Sequence, residues 1–109
     1  MRGITPDLCT ILGELTASLR SIYGERFLRL VLYGSHARGE AQPGSDVDLL
    51  LVLRDATRPT REIDRIAHIL ADINLRTGVL ISIVPVTEDA LLRAKGPFWS
   101  NVRREGIAA

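Results

Sequence analysis

The segment VLYGSHARGEAQPGSDVDLLLVL, residues 31–53, holds parts of two apolar runs separated by a loop rich in Gly, Ser and Pro. The first run, residues 27–33, is bounded by Gly34 and predicts a buried strand. The second run, residues 46–53, is apolar except for two carboxylates at its start, and it predicts another strand. Residues 34–45 between them predict a loop or a single helical turn.

A helix is predicted before this segment. Apolar residues recur in steps of three and four over residues 6–23, which places them on one helical face that can cover a sheet. Thr5 is the expected cap, Pro6 fits the first helical position, and Gly24 supplies a stop signal.

The chain after this segment alternates between helix and strand patterns. It predicts a helix from Thr60 to a cap at Gly78, a strand over 79–84 that Pro85 ends or marks as an edge, a helix after Thr87 through Lys95, and a last helical turn over 98–105. The order of elements predicts an α/β or α+β fold, a small β-sheet flanked by helices.

Composition restricts the class of protein. The 109 residues suit one domain, residues 1–109, and the formal net charge of +1 does not indicate a nucleic-acid or membrane surface. No apolar run approaches the ~20 residues of a membrane span, and the N-terminus lacks a signal-peptide pattern. We therefore expect a soluble cytoplasmic protein. The single cysteine, Cys9, excludes an internal disulfide and a cysteine-based metal cage.

Gly34 and Ser35 stand where the first strand ends. Gly34 lets the backbone approach a ligand closely, and Ser35 offers a hydroxyl and an amide. If residues 35–39 form a helical turn, its N–H groups suit a phosphate. Taken alone, the pair indicates an ordinary turn.

Asp46 and Asp48 open the second strand two residues apart, so both side chains are expected on the same face. Two close carboxylates repel one another unless a cation lies between them, and Mg²⁺ takes a few carboxylates together with substrate phosphates. The alternative is a solvated strand start. A phosphate turn beside a metal-ligand pair is what nucleotidyl transfer requires.

The strings LYGSHARGE, residues 32–40, and GSDVDL, residues 44–49, resemble the signature of polymerase-β-type nucleotidyltransferases, and within them the minimal nucleotidyltransferases of bacteria and archaea. The ending FWSNVRREGI, residues 98–107, is similar to the family as well. The resemblance implies a small mixed sheet flanked by helices, phosphate binding at Gly34 and Ser35, and Mg²⁺ on Asp46 and Asp48 as the catalytic pair. Arg38 either approaches the phosphates or forms a salt bridge to Glu40 or another acid.

The sequence departs from that family at one position. Active members usually carry a third carboxylate on the strand beside the Asp-x-Asp strand, and the matching strand here has none. Ser82 is its only polar side chain and stands about where that carboxylate is expected; a hydroxyl is a poorer Mg²⁺ ligand and a poor base. Glu88 and Asp89 are expected to begin a helix instead.

Three functions stay open from the sequence. The first is an enzyme that transfers AMP from Mg-ATP to a hydroxyl, which the resemblance places on a HEPN-type partner in a toxin–antitoxin pair. The second is a catalytically impaired, nucleotide-binding antitoxin that neutralises its partner by complex formation. The third is a domain with an unrelated binding role. The sequence specifies neither the nucleotide base nor the oligomeric state, and a homo-oligomer stays open.

Overall fold

The computed structural model describes residues 6–42, 44–55 and 58–109. Its elements in chain order are α1 (Pro6–Tyr23), a 3-10 turn (Gly24–Arg26), β1 (Phe27–Tyr33), α2 (Ser35–Arg38), β2 (Val47–Leu53), α3 (Pro59–Thr77), β3 (Ile81–Thr87), α4 (Glu88–Arg93), α5 (Pro97–Glu105) and β4 (Ile107–Ala108).

The strands form a mixed sheet, as the resemblance implied. Within the described residues the sheet has four strands in the order β3-β2-β1-β4. β1 pairs antiparallel with β2 and with β4, whereas β2 pairs parallel with β3. The parallel pair needs a crossover connection, and α3 provides it.

Helices cover both faces of the sheet. One face packs against α1 and α3 around a core that includes Leu15, Leu19, Leu49 and Ile66. The other face packs against α4 and α5 through Leu50, Val52, Leu91 and Val102. Residues 49–53 of the central strand β2 are all buried, which explains their continuous apolar run.

Most predicted elements are confirmed. The first helix spans residues 6–23, while its expected cap, Thr5, lies outside the described residues. The third helix ends at Gly78, which adopts the left-handed conformation with a φ of 76°. Thr87 caps α4, because its hydroxyl accepts a hydrogen bond from the Ala90 amide at 3.1 Å.

Several boundaries differ from the prediction. β3 begins two residues later than expected and continues through Pro85 to Thr87. Pro85 therefore marks an edge rather than the end of a strand: β3 is the sheet's outer strand, where a missing N–H costs no ladder bond. α4 ends at Arg93 rather than Lys95, and the two-residue strand β4 was not predicted.

No helix in the part of the chain that the structure describes is long and apolar enough to cross a membrane.

Candidate active site

Strand register brings Tyr33, Asp48 and Ser82 into one row across three strands. Tyr33 of β1 lies opposite Asp48 of β2, and Asp48 in turn lies opposite Ser82 of β3. Paired residues on neighbouring strands share a face, so the three side chains leave the sheet on the same side. This is the face that α4 and α5 cover further along the strands.

Gly34 connects the first strand to the carboxylate. Its backbone has a φ of 75° and a ψ of −155°, a region that essentially only glycine occupies. A Cβ at this position would collide with Oδ2 of Asp48. The chain therefore turns directly against the Asp48 carboxylate, and the two sequence motifs form one site.

Asp46 and Asp48 differ in their surroundings. The prediction that both lie on a strand is wrong for Asp46, because β2 begins at Val47 and Asp46 is exposed in the preceding loop. Asp48 is half-buried within the strand. Burial and, secondarily, the charge of Asp46 raise the pKa of the Asp48 carboxyl above its ordinary value. Asp46 is thus close enough to Asp48 for their charges to repel.

Ser82 is exposed and directly beside Asp48 in the register. This is the position at which the sequence lacked a third carboxylate. Glu88 and Asp89 open α4, as expected, and Glu88 forms an ion pair with Arg29 at 3.2 Å. Among the described residues, no group of three or more His, Cys, Asp or Glu side chains is arranged to hold a metal ion.

The turn after Gly34 is the short helix α2, which begins at Ser35. It is closed by hydrogen bonds from the Arg38 amide to the Gly34 carbonyl at 3.1 Å and from the Glu40 amide to the Ser35 carbonyl at 2.9 Å. Of the two predictions for this segment, a loop or a single helical turn, the structure confirms the helical turn. Ser35 and Arg38 lie at its two ends, next to the end of β1.

Hydrogen bonds within the chain hold the loop that follows α2. Ser45 Oγ accepts a hydrogen bond from the Gln42 amide at 2.9 Å, and His36 Nε2 lies 3.3 Å from the Ser45 carbonyl oxygen. These contacts fix the chain just before Asp46. The contact between His36 and Ser45 brings together the neighbours of Ser35 and Asp46, at the two ends of the loop.

Arg38 forms ion pairs in this structure. Its Nε donates to Glu40 at 2.7 Å and its Nη1 to Glu105 of α5 at 3.4 Å. The hydrogen bond to Glu40 is the main cause that raises the pKa of the Arg38 guanidinium. The structure shows the salt bridges, which use Nε and Nη1. A guanidinium carries five N–H donors, so a phosphate contact is compatible with them.

A cavity of about 390 Å³ opens beside Gly34 and Arg38. Its other wall is α5, with Phe98, Asn101 and Glu105. Sequence reasoning did not assign Asn101 or Glu105 to the site. Both lie in the segment 98–107 that resembles the family, but the sequence does not place this segment against Arg38, which is 67 residues from Glu105 along the chain. Tyr33 belongs to the strand and to the string that resembles the family, but the sequence gives it no role of its own in the site.

The chain belongs to the nucleotidyltransferase domain family, whose model matches residues 13–105. It is 35% identical over 100 residues to a Methanocaldococcus jannaschii protein named "putative protein adenylyltransferase", a match that covers 87% of this chain and 66% of that relative. A second protein of that organism with the same description is 29% identical over 94 residues, covering 85% of this chain and 88% of the relative.

Solved structures share the fold. The crystal structure of a "putative nucleotidyltransferase" from Sulfolobus solfataricus matches with a TM-score of 0.60 at 14% identity, covering 89% of this chain and 75% of the other. The crystal structure of a toxin–antitoxin with AMP-PNP matches with a TM-score of 0.59 at 16% identity, covering 89% and 70%. At these identities the likeness concerns the fold alone.

Proposed function

We propose that this protein transfers AMP from Mg-ATP to a hydroxyl group on a HEPN-type partner protein, as the antitoxin of a toxin–antitoxin pair. The observation that carries the proposal is the contact between Gly34 and the Asp48 carboxylate, which joins a phosphate-type turn to an acidic pair. The names of the M. jannaschii relatives support this reaction class, and the toxin–antitoxin structure with AMP-PNP suggests the partner and the nucleotide. The cytoplasm, which supplies ATP, is the proposed setting.

The donor set fits a magnesium ion. Asp46 and Asp48 offer hard oxygen ligands. The pKa of the Asp48 carboxyl is raised mainly by burial and secondarily by the charge of Asp46, and a cation would relieve the repulsion between the two carboxylates. Mg²⁺ is commonly bound by one or two carboxylates together with substrate phosphates, so a third carboxylate is not a condition for binding. When bound, Mg²⁺ would supply positive charge where negative charge develops on the phosphates.

The residues of this chain have separate roles in the proposed reaction. Gly34 lets the phosphates approach the backbone, and Ser35 donates its hydroxyl to them. Arg38 donates to a phosphate oxygen from the N–H groups that its salt bridges do not use. Asp46 and Asp48 are the proposed catalytic and metal-binding pair.

The bonds made and broken in this transfer can be accounted for without a third carboxylate. The acceptor oxygen forms a bond to the α-phosphorus, the bond to the pyrophosphate oxygen breaks, and pyrophosphate leaves with the electron pair. The hydroxyl proton passes to solvent. Ser82, in the place of a third carboxylate, is a poor base at neutral pH, so we expect slow turnover.

Ser82 favours a second candidate function. A site that lost its third carboxylate can still bind nucleotide without transferring it. The protein would then neutralise its partner by forming a stable complex, and the nucleotide would act only as a ligand. The enzyme and the inert antitoxin differ in one observable, a covalent modification of the partner.

The test is the intact mass of the partner after incubation with this protein and Mg-ATP. We expect a gain of one AMP group with the natural chain and none with the Asp46→Asn/Asp48→Asn variant. The Asp64→Asn/Asp72→Asn variant is the matched control, because it removes two exposed carboxylates from α3 on the opposite side of the sheet. No gain together with a stable complex would reject the transferase and favour the inert antitoxin.

The partner itself is tested separately. Affinity capture from the native host should recover a HEPN-type protein bound to this chain. If the captured proteins include none of that type, the partner assignment is wrong, whatever the outcome of the mass measurement.

A further inference from the structure

The cavity between α2 and α5 is continuous with the site. Tyr33, Gly34 and Arg38 form one wall, and the α5 residues Phe98, Asn101 and Glu105 line the other. Its volume of about 390 Å³ lies within the ~300–1,000 Å³ range of small-molecule sites. Gly34 both lines the cavity and contacts Asp48, so a ligand whose phosphates lie at this turn can extend into the cavity.

Phe98 presents an aromatic ring to this cavity. It is 44% exposed, so part of the ring is open to a ligand. Edge-to-face contacts hold the ring, with centroid distances of 5.6 Å to Tyr33 and 5.3 Å to Trp99. The ring is therefore fixed by two neighbours while part of its surface remains uncovered, which suits a flat ligand that stacks on it.

Asn101 adds a polar group one helical turn further along α5. Its Oδ1 accepts a hydrogen bond from Arg104 at 2.7 Å, so its amide nitrogen is the group it can donate to a ligand. An aromatic surface with a nearby N–H donor matches the face and the ring-nitrogen edge of a nucleobase.

We propose that the base of the nucleotide binds in this cavity, stacked on Phe98 and contacted by the Asn101 amide. This inference rests on the proposed function, since the phosphates of the same nucleotide occupy the turn at Gly34 and Arg38. It assigns α5 a role in binding the base, in addition to its role in covering the sheet.

The test compares the binding of Mg-ATP with that of Mg-tripolyphosphate, which carries the phosphates without a base. For Phe98→Ala we expect Mg-ATP to bind roughly 5- to 140-fold more weakly, the equivalent of ~1–3 kcal/mol per stacked base at ~1.4 kcal/mol per tenfold. Tripolyphosphate binding should not change. Phe98→Tyr retains the ring and should bind Mg-ATP like the natural chain. Leu75→Ala is the control, because Leu75 is 85% exposed on α3 and lies outside this cavity.

The outcomes separate this inference from the function on which it rests. Equal Mg-ATP affinity in the natural chain and Phe98→Ala would overturn the base site while leaving the transferase proposal intact. If the natural chain binds Mg-tripolyphosphate as tightly as Mg-ATP, the base site is likewise overturned and the transferase proposal is left intact. If neither ligand binds the natural chain, both proposals fail. A Phe98→Ala protein that transfers poorly to its partner but binds Mg-ATP normally would assign the cavity to the acceptor instead.

Discussion

Gly34 is a position where two separate physical reasons exclude a side chain. Its φ of 75° and ψ of −155° are unfavourable for any L-residue with a Cβ. In addition, the space that a Cβ would fill is taken by Oδ2 of Asp48. The sequence could predict the first reason from a glycine at a strand end. The second required the register between Tyr33 and Asp48.

Gly34→Ala should therefore destabilise the protein by more than the cost of its backbone conformation, because the new Cβ also collides with Asp48. Gly96→Ala is the matched control, since Gly96 also has a positive φ, of 120°, with an extended ψ of 164°. Among the described residues other than its two chain neighbours, none has an atom within 4 Å of its Cβ position. We expect Gly96→Ala to cost ~1–3 kcal/mol in free energy of unfolding. Gly34→Ala should cost more and should also abolish Mg-ATP binding. Urea unfolding and calorimetric titration measure both, and an equal cost for the two variants would contradict the Asp48 contact.

Asp48 gives the stability of the protein a dependence on pH with a known sign. Its folded pKa is raised above the ordinary 3.8, mainly by burial and then by Asp46. The folded state therefore favours the neutral acid more than the unfolded state does. Ionisation of Asp48 consequently lowers stability as the pH rises from 3.8 through the raised folded value.

Asp48→Asn should have the same free energy of unfolding as the natural chain at pH values below 3.8 and a higher one at neutral pH. We expect the gain to lie within the ~0.5–2 kcal/mol that single stabilising substitutions commonly give. Urea unfolding over a pH series measures it. Asp64→Asn, an exposed carboxylate on α3, should follow the natural chain throughout. Parallel curves for Asp48→Asn and the natural chain would show that the Asp48 charge is not under strain.

The buried carboxylate of Glu62 links helix α3 to the segment that joins α1 and β1. Glu62 is 4% exposed and accepts hydrogen bonds from the Tyr23 hydroxyl at 3.0 Å and from Arg26 Nη2 at 3.1 Å. Arg26 also pairs with Asp55 at 2.9 Å. A buried carboxylate is tolerated when it is paired and hydrogen-bonded, so removal of its cation should be costly.

Arg26→Ala should lower the free energy of unfolding by roughly 2–3 kcal/mol, somewhat less than for a fully buried pair because water reaches Arg26. Arg76→Ala is the matched control. Arg76 also forms two ion pairs, with Asp72 and Glu14, but all of these side chains are exposed. Exposed pairs contribute ~0–1 kcal/mol each. If the two variants lose similar stability in thermal and urea unfolding, the buried position of Glu62 has no energetic consequence.

The helices and strands that the sequence predicted are those that a pattern of neighbouring residues specifies. The periodic apolar residues of α1 and α3 and the apolar runs of β1 and β2 are properties of neighbouring residues. The two-residue strand β4 has no such pattern and exists because α5 returns the chain to Val31 and Leu32. Likewise, the continuation of β3 through Pro85 depends on its place at the sheet edge.

The candidate site was predictable in its motifs and unpredictable in its surroundings. Gly34, Ser35, Arg38, Asp46 and Asp48 lie within one short segment of the chain, so a sequence pattern can identify them. The resemblance places Ser82 on the strand beside the Asp-x-Asp strand, and the structure pairs Ser82 with Asp48. The resemblance includes residues 98–107 of α5, but which of them line the cavity depends on tertiary packing.

The assembled site combines charges of both signs from three parts of the chain. Asp46 and Asp48 form its negative side, and Arg38, held by Glu40 and Glu105, is the cation next to the Gly34 turn. ATP alone would place phosphates near the acidic pair, and Mg²⁺ alone would lack the phosphate ligands that complete its coordination. The two should therefore bind cooperatively.

Mg²⁺ and ATP together should raise the melting temperature by more than the sum of their separate effects. At a free Mg-ATP concentration of ~100 Kd, mass action adds about 2.7 kcal/mol, which is roughly 10 °C or more for a domain of this size. Thermal unfolding with ATP, with Mg²⁺ and with both measures the effect. The Asp46→Asn/Asp48→Asn variant should lose the cooperative part, whereas the Asp64→Asn/Asp72→Asn variant should keep it. An equal shift with ATP in the presence of a chelator would mean that the carboxylates and a metal have no part in binding the nucleotide.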